Sequence, residues 1–379
     1  MADGGGSGSI GEGPPVAWCT NVHDAHSIDD LCDALRSVCA TIDATAGDLD
    51  RRVGLWLAPD MVRGRHMELL GATLADCRLT CIGLNAFPAM AFHDKVVKTA
   101  VYRPAWDDPA RLHYTRRCTK ALLELLEPGS SAGLTTVPLG WPGHGVDVEA
   151  AAGQIRVFCA ELERIHQTIG IDLHLAIEPE PGCLLDTTAS LAAFVRQHDL
   201  LDLAATGRLR ACLDVCHLAV MHESPDEALD ALASAHLAIG RVQISSAVEA
   251  DMQQGNVVRE HLAALDEPRW MHQTTCMVDG HRKDWPDLPE ALAEGTDGLW
   301  RTHLHIPVHL RSIGALGTTQ RTIIDMLGAL HARDLHPPLE VETYAWHVLP
   351  ESIRQDDLPA NIVRELVWTR DAARAEGWT

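Results

Sequence analysis

Leu175-Ala176-Ile177-Glu178-Pro179-Glu180-Pro181-Gly182 and Leu209-Arg210-Ala211-Cys212-Leu213-Asp214-Val215-Cys216-His217 read as two buried strands, each running into an acid. An apolar run that stops at a carboxylate, followed by a turn or helix, is what a parallel barrel presents at the C-terminal ends of its strands, where side chains from different strands converge on one pocket. Two later runs end alike, Arg241–Ser245 around Gln243 and Leu339–Glu342 at Glu342. Outward from these, strand-like and helix-like segments alternate. Val16–Thr20, Val53–Ala58, Thr80–Asn85 and Gly133–Pro138 read as the earlier strands, and Ser27–Thr45, Met61–Cys77, Pro109–Leu126, Val148–Ile169, Thr187–Leu203, Ser224–His236 and Leu358–Ala375 as helices. About eight strand–helix units predict an α/β fold, a (β/α)8 TIM barrel. A doubly wound open sheet would want glycines in the first turn, and Thr20-Asn21-Val22-His23-Asp24 has none.

About seventy residues separate Gln243 from the helix signal at Thr318-Thr319-Gln320, too many for a plain loop. Trp270–Val278 and Trp300–Val308 are strand-like within it, so a β-hairpin insertion over the mouth after strand seven is expected, with His303 and His305 on one face. Residues 1–15 are Gly/Ser-rich and read as a disordered leader, leaving 16–379 as one barrel domain.

The chain has 53 acidic against 31 basic residues, a formal charge of −22. That balance argues against nucleic acid and anionic membrane surfaces as partners. No secretory h-region and no transmembrane-length apolar run is present, so there is no direct membrane insertion and a cytoplasmic location is expected. The 11 cysteines are scattered, several inside apolar segments, as reduced core residues would be. P-loop, G-x-S-x-G and H-E-x-x-H patterns are all missing, which removes several reaction classes.

The candidate chemistry lies at the strand ends. Glu178 and Glu342 suit acid–base or metal-binding roles, because a buried acid needs a cation or a donor. Glu180, expected on the loop after Pro179, and Glu340, expected to face the same side as Glu342, are their rivals. Asp214 and His217 sit three apart and would share one side of a helical turn, although Asp214 could instead cap that helix. Gln243 is a substrate amide, a weak ligand or an interior hydrogen-bonding residue. His303 and His305 are spaced to reach one ion. The full metal set read here is Glu178, Asp214, His217, Gln243, His303, His305 and Glu342, for a divalent ion, Mn2+ or Zn2+ ahead of Mg2+ or Co2+. Candidate substrate contacts are His23, Asn85, Lys95 and Arg103, with Lys98 in the same long loop as the last two.

With these residues in view, the chain resembles the xylose isomerase-like TIM barrels, a superfamily of sugar isomerases, epimerases and endonuclease IV-type phosphoesterases. The resemblance implies a Glu, Asp, His-like and Glu set after strands five to eight, which Glu178, Asp214, Gln243 and Glu342 match in order. Gln243 departs from the His of many members, and no lysine beside Glu178 matches the one sugar isomerases use. Leu213-Asp214-Val215-Cys216-His217 and the His303/His305 pair are similar to the endonuclease branch. Cys19-Thr20-Asn21-Val22-His23, Asn85-Ala86-Phe87-Pro88, Val101-Tyr102-Arg103-Pro104-Ala105-Trp106 and His303-Leu304-His305-Ile306-Pro307-Val308 resemble the metabolite-traffic barrels (EboE type) of bacterial ebo-type clusters. So does Leu339-Glu340-Val341-Glu342-Thr343-Tyr344-Ala345-Trp346. These resemblances imply a metal-dependent isomerase or epimerase of a small polyol, sugar or sugar phosphate, working in the making or export of a small molecule. The rivals are a metal-dependent phosphoesterase on a small phosphorylated metabolite and a non-enzymatic metabolite carrier. Oligomeric state is left open.

Overall fold

A computed structural model describes residues 14–89, 96–349, 353–354 and 356–379; residues 1–13 of the expected leader, and Lys95, lie outside the described residues. Eight parallel strands close into a barrel: β1 (Val16–Cys19), β2 (Arg52–Trp56), β3 (Thr80–Asn85), β4 (Ser131–Thr136), β5 (Asp172–Ile177), β6 (Leu209–Asp214), β7 (Ala238–Ile244) and, last in the chain, Leu339–Val341. That last strand pairs with β1 on one side and β7 on the other, which closes the ring. Helices cover the outer face of the closed barrel and strand side chains fill its interior, so the strands are buried on both sides. The helix Val148–Ile169 falls where its signals place it, started by the Asp147 side chain and stopped by Gly170 in the left-handed region. The expected Thr187–Leu203 helix is two pieces, Thr188–Gln197 and Leu201–Ala205, with Asp199 at φ 53° between them.

The barrel interior below the mouth is polar. Arg241 of β7 reaches Glu340 of the last strand at 2.8 Å, both buried, and donates to Asn85 Oδ1 at 2.9 Å. Glycines make the room: a Cβ at Gly54 would lie 1.5 Å from Glu340 Oε2. Glu340 is therefore committed to Arg241 and is no rival to Glu342 for the mouth, contrary to the sequence expectation. A buried carboxylate one residue short of the strand end takes the interior cation nearest to it.

The insertion is larger than a hairpin. It holds β8 (Ser246–Asp251), β9 (Thr274–Val278), β10 (His281–Trp285), β11 (Leu299–Ile306), β12 (Ser312–Ile313) and β13 (Leu316–Thr318). They form one antiparallel sheet in the order β10-β9-β11-β8-β13-β12. The two expected arms do pair antiparallel, with Trp300 opposite Cys276 and Thr302 opposite Thr274. The unexpected strands have plain causes. Only Ser245 separates β7 from β8, so the two merge in the sequence, and β10 is a polar edge strand. A register shift between Thr302 and Ile306 ends the regular pairing of β11 with β8 where His303 and His305 lie. The closing helix Leu358–Ala375 is tied to this end of the barrel by buried Glu365, which accepts from Val308 N at 3.0 Å and Thr343 Oγ1 at 2.7 Å. No helix among the described residues is long and apolar enough to cross a membrane.

Candidate metal and active site

Glu178 follows β5, Asp214 ends β6, and Glu342 follows the last barrel strand, so chain topology alone carries all three to the C-terminal mouth. Each offers an oxygen within 4.8 Å of the others, and all three are buried. Asp214 does two things at once. Its Oδ1 accepts from His217 N at 2.9 Å and from Ser245 Oγ at 2.7 Å, capping the helix Val215–Val220. Its Oδ2 is buried without a hydrogen-bond partner. Glu342 is split in the same way: Oε1 accepts from Asn21 Nδ2 at 2.5 Å, and Oε2 has no such partner. Burial, then the neighbouring carboxylates, pushes the Glu178 and Glu342 carboxyls well above their ordinary range. Three acids this close in a dry pocket are unfavourable as anions unless a cation joins them.

The imidazoles supply the second half of the argument. His217 Nδ1 lies 2.9 Å from the Pro179 carbonyl, and His305 Nδ1 lies 2.8 Å from the Glu342 carbonyl. A carbonyl only accepts, so each Nδ1 carries the hydrogen. His303 Nδ1 lies 2.8 Å from Gln273 Oε1, while Gln273 Nε2 donates to Tyr102 Oη at 2.9 Å and to the Pro181 carbonyl at 3.0 Å. The amide orientation fixes that tautomer too. All three Nε2 atoms are left as lone pairs, and they converge: His217 to His303 at 3.1 Å, His303 to His305 at 3.3 Å. Burial, then the neighbouring imidazoles, holds His217 and His303 well below the usual imidazole range, so protonation does not relieve the contact. Converging lone pairs, each backed by a hydrogen bond through the other ring nitrogen, are the donor arrangement of a metal site.

The residues fit a divalent cation. Glu178, Asp214 and Glu342 offer oxygens within 4.8 Å of one another, Asp214 Oδ2 and Glu342 Oε2 are buried without hydrogen-bond partners, and Asp214, His217 and His305 form a second group within 4.8 Å. Mixed imidazole and carboxylate donors suit Mn2+ and Zn2+.

Other expected residues divide. Gln243 lines the cavity, and its Oε1 accepts from Cys212 Sγ at 3.3 Å. Asn85 also lines it, but its amide is occupied by Arg241, Thr135 and Cys19 Sγ, so it organises the floor. His23 is buried beside Trp18, whose Nε1 donates to His23 Nε2 at 3.4 Å, and it does not line the cavity. Arg103 lines a separate surface depression with His144 and Asp107, because the chain turns outward after Tyr102. Neither His23 nor Arg103 is placed as a substrate contact.

Glu180 is not the exposed loop acid that its place after Pro179 suggests. It is buried, accepts from Tyr102 Oη at 2.7 Å, and is pushed up to about 8 by burial. The flanking prolines, which usually mark an exposed turn, hid it. Cys216, which its sequence surroundings do not single out, groups with His303 and His305. The cavity above these residues holds about 710 Å³ of empty space, part of it open to solvent, between Phe87, Tyr102, Trp270 and Tyr344. Tyr102 stacks on Trp141 at 5.2 Å, and Tyr344 packs on His305 at 4.5 Å. Such walls exclude water and suit the apolar face of a sugar.

His305 has its tautomer set and its Nε2 3.6 Å from the free Asp214 Oδ2, whereas the Gln243 oxygen is already accepting a thiol. His305→Ala is therefore expected to weaken Mn2+ or Zn2+ binding more than Gln243→Ala does, by about tenfold. Titration of the two metal-free variants checks this, and the reverse order would remove His305 from the ligand set.

No family model matches this chain, and no curated protein matches it. Solved structures do. The IolI protein with a bound zinc atom superposes with a TM-score of 0.52 at 11% identity, over 95% of this chain and 98% of that one. An L-ribulose 3-epimerase gives 0.51 at 14% identity, over 96% of each chain. A xylose isomerase-like TIM barrel protein from Mycobacterium smegmatis in complex with magnesium gives 0.51 at 12%, over 96% and 97%. The fold is thus a closed (β/α)8 barrel, the fold these structures share.

Proposed function

We propose that this barrel is a metal-dependent isomerase or epimerase acting on a small sugar or polyol, in the small-molecule biosynthesis or export that its metabolite-traffic motifs imply. One observation carries the reading: Glu178 and Glu342 sit in one buried cluster with Asp214, beside three imidazole lone pairs, under an aromatic-walled cavity. A divalent ion held by Asp214, Glu342, Glu178 and the imidazoles, with Gln243 beside them, would polarise a substrate carbonyl and its neighbouring hydroxyl. The chain's own groups do the rest. One of Glu178 and Glu342 takes the proton from the carbon beside the carbonyl, and the C–H electron pair moves into an enediolate. The other returns a proton to the opposite face, which inverts that carbon. Asn21, donating to Glu342 Oε1, holds that carboxylate in place. Phe87, Trp270 and Tyr344 keep water from the carbanion-like species. One structural neighbour is by name an L-ribulose 3-epimerase, and two others hold zinc or magnesium, which supports this chemistry.

The test is solvent exchange. Mn2+-loaded protein incubated with ketoses in D2O is expected to place deuterium at the carbon beside the carbonyl, seen by NMR, and Glu178→Gln to abolish it. The imidazole triad favours one alternative, hydrolysis of a small phosphate ester. Release of phosphate from aryl or sugar phosphates, without deuterium incorporation, would replace the isomerase reading with that one.

A further inference from the structure

Lys98 is the one lysine or arginine among the described residues that line the cavity, whose floor carries Glu178, Glu180 and Glu342. We propose that Lys98 selects substrates bearing an anionic group, phosphate or carboxylate, at the end remote from the reacting carbonyl. This rests on the isomerase reading above and narrows its substrate class.

The side chain is placed with care for a surface lysine. Its backbone stands in the left-handed region at φ 41°, a conformation that a non-glycine residue keeps only when its surroundings impose it. The imposition is visible: Val97 N and Lys98 N both donate to the Arg269 carbonyl, at 2.7 and 3.0 Å. The ammonium donates to Asp287 Oδ2 at 2.5 Å. Asp287 is itself held, its Oδ1 accepting from His272 N at 2.9 Å and Leu288 N at 3.0 Å at the start of the helix Leu288–Glu294. An ammonium has three donors. One is committed to Asp287, and the side chain is 30% exposed at the cavity, so two remain for a ligand. The nearby Glu267 does not compete, because its oxygens accept from Arg269 N and Trp270 N and it does not line the cavity. The acid and imidazole cluster suits a cation-bound carbonyl, and the Lys98 ammonium, at the start of the short 3-10 helix Lys98–Tyr102 outside the barrel strands and tied to the insertion through Asp287, suits an anionic group on the same substrate.

The pair also staples residues 96–102 to the insertion, and stapling and ligand selection separate experimentally. Mn2+-loaded protein is titrated calorimetrically with D-fructose, D-fructuronate and D-fructose 6-phosphate, which differ only at C6, and with D-ribulose and D-ribulose 5-phosphate. A phosphate or carboxylate member is expected to bind at least about tenfold tighter than its neutral parent. The fructuronate and phosphate arms tell which anion is used. Lys98→Met should erase the preference. Asp287→Asn should keep it, since asparagine still accepts from His272 and Leu288 while the ammonium is freed. Melting temperatures confirm that both variants fold. A neutral parent bound as tightly as its anionic partners, a preference that persists in Lys98→Met, or an equal loss in both variants overturns the proposal while leaving the isomerase reading standing. Failure of every sugar to bind overturns both.

Discussion

Glu342→Gln is expected to weaken Mn2+ binding by about a hundredfold and to abolish turnover, while leaving the metal-free protein as stable as the parent or more so. The expectation follows from what each oxygen of Glu342 does. Oε1 is held by Asn21, Oε2 is buried with no hydrogen-bond partner, and the carboxylate lies in one cluster with those of Asp214 and Glu178. Without a cation this is repulsion in a desolvated site, so removing one charge relieves the protein. With a cation the same oxygen is a ligand, so removing it costs affinity. Glu178→Gln should behave alike, since its carboxyl is raised by burial first and by Glu342 and Asp214 next. Metal titration and melting curves on the two variants check this. Unchanged affinity in both would place the ligands elsewhere.

The second large effect is on pH. The stabilisation gained by adding Mn2+ or Zn2+ is expected to grow steadily from about pH 5 to about pH 8. Glu178 and Glu342 are raised in the folded protein. A group raised on folding contributes stability that is full below its unfolded value and is lost as pH rises through its folded value. The metal-free protein therefore loses stability as these acids are forced to ionise together. His217 and His303 are lowered. Their contribution is present above the unfolded imidazole value and is lost only as pH falls through their depressed values, so through the neutral range they are already free to ligate. Protons compete with metal mainly at the carboxylates, and the release of metal on acidification should begin above the ordinary carboxylate range. Melting temperatures with and without metal, taken at half-unit steps of pH, measure it. A metal-induced shift that stays flat across this range would contradict the carboxylate assignment.

Much of the site was legible because an apolar run ending in acid is a local pattern. Glu178, Asp214 and Glu342 each follow residues that only a barrel interior would bury, and the structure brings them together. The helices that matched, Val148–Ile169 and Leu358–Ala375, begin at aspartate caps, Asp147 and Asp357. What the sequence hid was non-local. Nothing beside His303 announces that Gln273, thirty positions earlier, orients its ring. Nothing beside His217 or His305 shows that the Pro179 and Glu342 carbonyls set their tautomers. Glu180 was masked by prolines, and β8 by the single residue separating it from β7. Arg103 carries the right charge but lies past the turn that takes the chain away from the mouth, whereas Lys98, five residues earlier, lines it.

If the three carboxylates and three imidazoles at the barrel mouth hold a divalent cation, elemental analysis of the protein purified without chelator will find at least about one equivalent of a transition metal per chain, restored by Mn2+ or Zn2+ after stripping and lost when Glu342 and His305 are both replaced. A chain that carries no metal and takes up neither ion at neutral pH would contradict it.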